Sequence, residues 1–162
     1  MILSGNDLYR YMRRGELIIE PLDVAQIREN GIDLIVDTCK FYCLNVGTHI
    51  STDTITPGNA YLIATREHIK MPNDLMAFVN VRSTWARHGF FLPPTIVDAG
   101  FEGQLTLEIM YMGSKTISIC GERFGHLIFS QLSSPAIPYA GKYQHQSGVT
   151  LPRLDKDYGK EI

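Results

Sequence analysis

Chemically capable side chains cluster between positions 82 and 108 of this sequence. Guanidiniums, hydroxyls and carboxylates fall within these 27 positions, carried by Arg82, Ser83, Thr84, Arg87, Asp98 and Glu108. The surrounding residues are mainly apolar, and Asp, Glu, Lys and Arg make up only 20% of the chain. Guanidiniums and hydroxyls bind phosphate, and a carboxylate in an apolar setting can act as a general base. The cluster therefore favours a polyanionic substrate on which a carboxylate base acts.

The segment from Arg82 to His88 has the features of a small anion site. It follows an apolar run at residues 75–81, and Gly89 is placed to end a short helix over residues 84–88. Ser83 or Thr84 would cap this helix, leaving amide groups and the positive end of the helix dipole facing outward. With Arg82, these groups predict a phosphate site. A capped turn with a surface arginine explains the segment equally well.

Glu108 lies in the middle of a strand predicted over residues 105–112. Alternation divides this strand into two faces, Leu105, Leu107 and Ile109 on one and Thr106, Glu108 and Met110 on the other. A carboxylate with apolar neighbours has a raised pKa, which suits a general base. The alternative for Glu108 is a structural ion pair, for example with Arg87.

Asp98 stands just before two glycines, Gly100 and Gly103, that open the same strand. Glycine permits a tight or bulged backbone, and such a turn would hold the Asp98 carboxylate rigidly. Asp98 is therefore a second candidate carboxylate of the site.

Composition sets the broad class. The chain has 162 residues, 44% of them hydrophobic, and a formal net charge of −2. We expect one globular domain over residues 1–162, located in the cytoplasm, because no apolar run approaches 18 residues and no signal peptide is evident. The near-neutral charge argues against nucleic acid as a partner. The three cysteines are at spacings unlike a zinc site and are expected to be free thiols, namely Cys39, Cys43 and Cys120.

The rhythm of apolar runs predicts a mainly β protein. A helix should begin after Ser4, which has the spacing of a capping box with Asp7, and should end near Gly15. Beyond Pro21, short apolar runs alternate with turn residues, at positions 32–36, 41–46, 60–65, 75–81, 105–112, 116–120 and 126–132. This pattern is typical of an antiparallel sandwich or barrel. The tail from about residue 138 to 162 has too little apolar content for a core and is expected to form an arm or lid.

Two large classes of site have no sequence signature here. The five histidines are scattered and form neither a zinc-deaminase nor a metalloprotease pattern, so no zinc or other protein-bound metal is expected. There is also no phosphate-binding glycine-rich loop of the P-loop or Rossmann type.

Several ordered motifs resemble the dCTP deaminase and dUTPase superfamily, and its deaminase branch in particular. They are Met1-Ile2-Leu3-Ser4, Gly31-Ile32-Asp33-Leu34, Glu67-His68-Ile69-Lys70-Met71-Pro72, Arg82-Ser83-Thr84-x-Ala86-Arg87, Val97-Asp98-Ala99-Gly100-Phe101-x-Gly103, Leu105-Thr106-Leu107-Glu108, and Pro138-Tyr139 with Lys142-Tyr143-x-x-Gln146. The resemblance implies a β-clip fold, a distorted antiparallel barrel with a short N-terminal helix, assembled as a homotrimer with active sites between subunits.

The resemblance also implies roles for individual residues. The glutamate matching Glu108 handles protons for the attacking water, and the residues matching Ser83 and Arg87 position the water and the base. The matches to Arg82, Thr84, Tyr139, Lys142 and Gln146 hold the triphosphate, and that to Asp98 lies by the deoxyribose and can serve diphosphate hydrolysis. Further substrate contacts are expected from Trp85, Ala86, Thr106 and Leu107. Mg²⁺ is expected only as the partner of the substrate triphosphate.

Two departures from the family pattern bear on substrate contacts, the first on those to the pyrimidine and the second on those to the phosphates. The segment between Arg87 and Asp98 is about two residues shorter than in typical members, and His126 stands where a glutamine is common. The expected activity is hydrolytic deamination of dCTP to dUTP in nucleotide metabolism. A dUTP diphosphatase, a bifunctional enzyme that continues to dUMP, and a nucleotide-sensing binding protein remain the alternatives.

Overall fold

The computed structural model describes residues 1–37 and 40–154. Two helices are present in this part of the chain, α1 (Gly5–Arg13) and α2 (Ser83–Arg87), with a 3₁₀ turn at Val24–Gln26. The strands are β1 (Ile18–Glu20), β2 (Ile27–Arg28), β3 (Gly31–Ile35), β4 (Phe41–Cys43), β5 (Thr48–Ile50), β6 (Thr54–Ile55), β7 (Asn59–Lys70), β8 (Leu75–Val81), β9 (Phe90–Phe91), β10 (Thr95–Val97), β11 (Glu102–Tyr111), β12 (Ile117–Ser118) and β13 (Arg123–Gln131).

The strands form antiparallel sheets around one apolar core. The larger sheet has the order β5-β4-β7-β11-β9, with β1 also paired to β7, and the second has the order β10-β8-β13-β3-β2. A two-stranded sheet joins β12 to β6. The prediction of a mainly β, antiparallel fold with a short N-terminal helix is confirmed, and the sheets are open rather than closed into a barrel.

Helix α1 begins where the sequence predicts it. The Ser4 hydroxyl accepts from the Asp7 amide at 3.2 Å, and the Asp7 carboxylate accepts from the Ser4 amide at 3.1 Å. This reciprocal capping box satisfies two amides that a helix start leaves without partners. Leu8 and Tyr11 bury one face of the helix, and Gly15 follows its end at φ +70°.

The alternation predicted for β11 is also confirmed. Leu105, Leu107 and Ile109 are buried in the core, whereas Glu108 and Met110 are exposed. Because side chains alternate along a strand, this register alone directs Glu108 away from the core.

Two local predictions are wrong. Helix α2 begins at Ser83 with Arg82 as its N-cap and has no side-chain capping bond, so neither Ser83 nor Thr84 is the cap. Gly89 does end it, at φ +93°.

The prediction of three free thiols is also wrong. Cys43 is a free buried thiol, but Cys120 is disulfide-bonded. The sequence did not reveal this, because spacing along the chain does not exclude pairing between distant segments. Cys39 and residues 155–162 of the predicted arm lie outside the described residues.

No helix in the described part of the chain is both long enough and apolar enough to cross a membrane.

Candidate active site

A cavity of about 340 Å³ opens where the two main sheets meet beneath the C-terminal arm, whose described part is residues 138–154. Its walls come from β7, β8, β10, β11 and the arm. Six of the residues singled out in the sequence line it, namely Asp98, Thr106, Leu107, Glu108, Tyr139 and Gln146. A mostly apolar cavity with a few convergent polar groups is the usual form of a small-molecule site.

Glu108 projects from the middle of β11 into this cavity. No ion pair or side-chain hydrogen bond reaches its carboxylate among residues 1–37 and 40–154, so the alternative of a Glu108–Arg87 pair is absent from the described structure. The Glu108 side chain is exposed by surface area, but the surrounding protein partly desolvates its carboxyl, and this loss of hydration raises the pKa of Glu108 above the ordinary glutamate value. An unpaired carboxylate with a raised pKa, open to a cavity, can take up and release a proton.

Asp98 reaches the same cavity from the turn between β10 and β11. The Phe101 amide donates to the Asp98 carbonyl oxygen at 3.1 Å, which closes this turn. Gly100 has φ +78°, and a Cβ built on it would lie 2.7 Å from Pro138. Glycine is therefore required both for the turn conformation and for the close approach of the arm.

The arm folds back on its own chain. The Tyr139 amide donates to the Ala99 carbonyl oxygen at 2.9 Å, and the Tyr139 hydroxyl accepts from the Tyr143 amide at 3.2 Å. Further along, the Thr150 amide donates to the Thr106 hydroxyl at 3.0 Å. Lys142 does not line the cavity, but its Nζ lies 5.3 Å from the ring centroid of Tyr143, which does. These contacts bring the tail, which the sequence predicts as an arm, against the candidate base.

A second cavity of about 270 Å³ contains Arg82 and Ser83. The Arg82 Nε lies 3.3 Å from Asp33 Oδ2, and His126 Nδ1 lies 2.9 Å from Asp33 Oδ1. The Asp33 side chain is only 2% exposed, so one buried carboxylate holds the arginine and the imidazole side by side. Asp33 was not singled out as a site residue in the sequence, although a lone charge within an apolar strand is a usable signal.

Packing of Trp85 fixes α2 at the rim of the second cavity. Its ring contacts Phe90 and Phe124, and its Nε1 donates to the Arg123 carbonyl oxygen at 2.8 Å. Four predicted site residues of α2 consequently face outward or pack beside the core without lining either cavity, namely Thr84, Trp85, Ala86 and Arg87.

Other cavity residues were missed in the site predicted from sequence. Thr95 and Ile96 on β10, and Tyr143 and Thr150 on the arm, line the first cavity. Tyr143 stands within a recognised motif and could have been included on that ground. The contribution of β10 depends on which strands meet in space, and local sequence does not encode this.

The fold matches solved structures of enzymes that act on deoxynucleoside triphosphates. A crystal structure of 2′-deoxycytidine 5′-triphosphate deaminase from Agrobacterium tumefaciens superposes with a TM-score of 0.68 at 21% identity. The match covers 82% of this chain and 48% of that one, so this chain spans about half the length of the Agrobacterium protein. At this identity the likeness defines the fold class.

Sequence comparison gives the family. The model described as dCTP deaminase-like matches residues 49–132. A protein named dCTP deaminase from Acidianus ambivalens is 45% identical, with 95% of this chain and 98% of the relative covered. A probable deoxyuridine 5′-triphosphate nucleotidohydrolase of Sulfolobus islandicus rod-shaped virus 1 is 46% identical, with 96% and 100% covered. The chain therefore belongs to the dCTP deaminase-like family of enzymes.

The two relatives differ in how they align. The Acidianus alignment runs over 173 positions but contains only 95% of this 162-residue chain, whereas the viral alignment runs over 158 positions and contains 96% of it. The archaeal relative thus has inserted residues without counterparts here, and the viral relative is nearly collinear with this chain.

Proposed function

We propose that this protein hydrolyses dCTP to dUTP and ammonia, with Glu108 as the group that moves protons. The position of Glu108 carries the proposal, since its carboxylate is open to the cavity, has no ionic partner among the described residues and has a raised pKa. The relatives named dCTP deaminase support the same reaction.

In this reaction water replaces the C4 amino group of cytosine. The Glu108 carboxylate takes a proton from water as its oxygen bonds to C4, and passes that proton to N3. Glu108 then transfers the hydroxyl proton to the amino nitrogen, the C4–N bond breaks, ammonia leaves and the C4 carbonyl forms. A positioned acid–base group contributes about 10²–10⁴ in rate, and orientation and electrostatic stabilisation provide the rest.

The other groups are assigned the roles that the family resemblance implies. We assign Ser83 and Arg87 to the attacking water and the base, and Asp98 to the deoxyribose. The triphosphate, which enters with its own Mg²⁺, is assigned to Arg82, Thr84, Tyr139, Lys142 and Gln146. Guanidinium and ammonium groups form strong charge-assisted bonds to phosphate oxygens.

This assignment requires more than one subunit, and we propose a homotrimer. Glu108 lines the first cavity, whereas Ser83 lines the second and Arg87 is exposed on α2. A neighbouring copy could bring its α2 to the first cavity. Exposed apolar pairs on two strand ladders, Phe78 with Ile96 and Phe91 with Met110, offer surface for such contacts.

Hydrolysis of dUTP to dUMP and pyrophosphate is the second candidate, alone or after deamination. The near-collinear viral relative favours it, and Asp98 in the same cavity could activate water for attack on a phosphate. A nucleotide-sensing protein without turnover is the third candidate, disfavoured because both carboxylates are in place.

Product analysis separates these candidates. Purified protein is incubated with Mg²⁺ and either dCTP or dUTP, and ammonia, pyrophosphate and the nucleotides are quantified. The proposal expects ammonia and dUTP in equal amounts from dCTP. Pyrophosphate without ammonia would establish the diphosphatase instead, and binding without any product would establish the sensor.

A further inference from the structure

One side chain, that of Gln104 on β11, joins the arm to the body of the protein. Its Oε1 accepts from the Gly148 amide at 2.7 Å and from the Ser147 hydroxyl at 3.1 Å. Its backbone amide donates to the Gln146 carbonyl oxygen at 3.0 Å, and its carbonyl oxygen accepts from Gln146 Nε2 at 2.8 Å. Three consecutive arm residues are therefore bound to a single position.

The other end of the Gln104 amide is bound to an irregularity in the sheet. Pairing of β11 with β7 shifts between Gln104, opposite His68, and Thr106, opposite Ala64. Residues 65–67 thus bulge opposite a single residue of β11. The Gln104 Nε2 donates to the carbonyl oxygen of Thr65 at 3.1 Å and lies 3.4 Å from that of Arg66. Bulges next to functional sites commonly redirect a side chain in this way.

The chemistry of this position requires a group that donates on one side and accepts on the other. A primary amide does both, whereas a carboxylate only accepts and an aliphatic side chain does neither. Gln104 also positions the cavity wall, because the arm residues that it holds include Gln146 and lead directly to Thr150, and both line the first cavity.

We propose that Gln104 is a positioning residue that fixes the arm over the cavity, so that the phosphate-side wall is formed before the nucleotide binds. This inference rests on the proposed function for its effect on turnover, but not for its effect on the arm. Loss of the contact should weaken substrate binding and leave the chemistry at Glu108 nearly unchanged.

The test compares Gln104→Ala and Gln104→Glu with wild type and with Gln131→Ala. The Gln104→Glu variant keeps the volume but replaces the donor to Thr65 by an acceptor. Gln131 is exposed at the end of β13, and its side chain bonds Tyr11 rather than the arm, which makes it a matched control. The first measurement is tryptic cleavage after Lys142 in the absence of nucleotide, and the second is kcat and KM for dCTP and dUTP.

Both Gln104 variants should be cleaved after Lys142 about tenfold faster than wild type and Gln131→Ala, because local opening exposes the bond. Their KM should rise about tenfold while kcat stays within about threefold. Cleavage at the wild-type rate, or a loss of kcat at unchanged KM, would overturn the inference. If wild type turns over neither nucleotide, the proposed function fails, and the cleavage rates alone still decide the role of Gln104.

Discussion

Glu108 and Glu102 project from the same strand, but their environments differ. The Glu102 carboxylate lies 3.7 Å from Lys70 Nζ, whereas Glu108 has a raised pKa and no ionic partner in the described structure. Glu108→Gln should lower kcat for deamination by about 10²–10⁴, because an amide cannot take the proton from water, and Glu102→Gln should retain activity. Steady-state kinetics of both variants test this, with nucleotide binding as the check on folding. Glu108→Gln turnover within tenfold of wild type would remove Glu108 from the mechanism.

The same carboxylate predicts the acid side of the pH profile. Glu108 must be ionised to act as a base, so kcat/KM should rise with pH as the free enzyme loses this proton. Because burial raises the pKa of Glu108, the midpoint of that rise should lie above the ordinary glutamate value. A pH series of kcat/KM measures the midpoint, and a midpoint at or below the ordinary value would contradict the environment described for Glu108.

Glu67 is a buried carboxylate that the mechanism does not use. Burial raises its pKa, while its Oε1 accepts from Gln26 Nε2 at 2.7 Å and from the Ile35 amide at 3.1 Å. The folded state therefore holds this proton more tightly than the unfolded state. The stability that Glu67 contributes is fully present below its pKa in the unfolded chain. This contribution declines as pH rises through the raised pKa of the folded state, by at most about 1.4 kcal/mol per pH unit.

Glu67→Gln removes this titration and should flatten the pH dependence of the free energy of unfolding across that window. Urea denaturation at several pH values measures it, at fixed protein concentration. Glu29→Gln, at a side chain 85% exposed, is the control and should follow wild type. Parallel curves for wild type and Glu67→Gln would show that the carboxylate does not titrate differently in the folded state.

At the scale of elements, the turn before β11 depends on a glycine for two separable reasons. Gly100 and Gly121 have similar positive φ values, +78° and +73°, but only Gly100 has a neighbour, Pro138, in the space of a Cβ. Gly121→Ala should cost only the backbone strain, about 1–2 kcal/mol. Gly100→Ala should cost that and also displace the arm, which raises KM for the nucleotide. Thermal unfolding and KM of the two variants test this, and equal KM values would argue against arm contact at Gly100.

The elements show which features the sequence can predict. The α1 capping box and the faces of β11 follow from local residue types, and both predictions are confirmed. The run at residues 60–65 indicates a shorter strand than β7 because the charges at Arg66 and Glu67 interrupt the apolar pattern. In the structure the bulge and the Gln26 contact accommodate those charges, so the strand continues to Lys70. Contacts between distant segments, such as Asp33 with His126 or Gln104 with the arm, carry no local signal.

At the scale of the whole molecule, the residues predicted for one site occupy two separate places. The cavity with Glu108 and Asp98 has the arm as its cover, and the cavity with Arg82 and Ser83 has Asp33 at its base. Each cavity is open, and each contains some of the groups that we assign to a single nucleoside triphosphate. Assembly of identical subunits in a closed ring is the simplest way to bring the two cavities together, because every subunit then supplies half of a site to each of its neighbours.

Shared sites make a specific prediction about mixed assemblies. Glu108→Gln disables the base on one subunit, and Arg87→Ala removes the guanidinium that we assign to the neighbouring one. Each variant alone should be inactive. Co-expressed in equal amounts, they should recover about one quarter of wild-type activity, because a random trimer pairs an intact Glu108 with an intact Arg87 at that frequency.

Sedimentation of the mixture should show a trimer. A double variant carrying both changes on one chain, co-expressed with Glu108→Gln, is the control and should stay inactive, because no subunit then supplies Glu108. No recovery in the first mixture, with trimers formed, would place both residues in a site within one chain, whereas an active Arg87→Ala variant would remove Arg87 from the site.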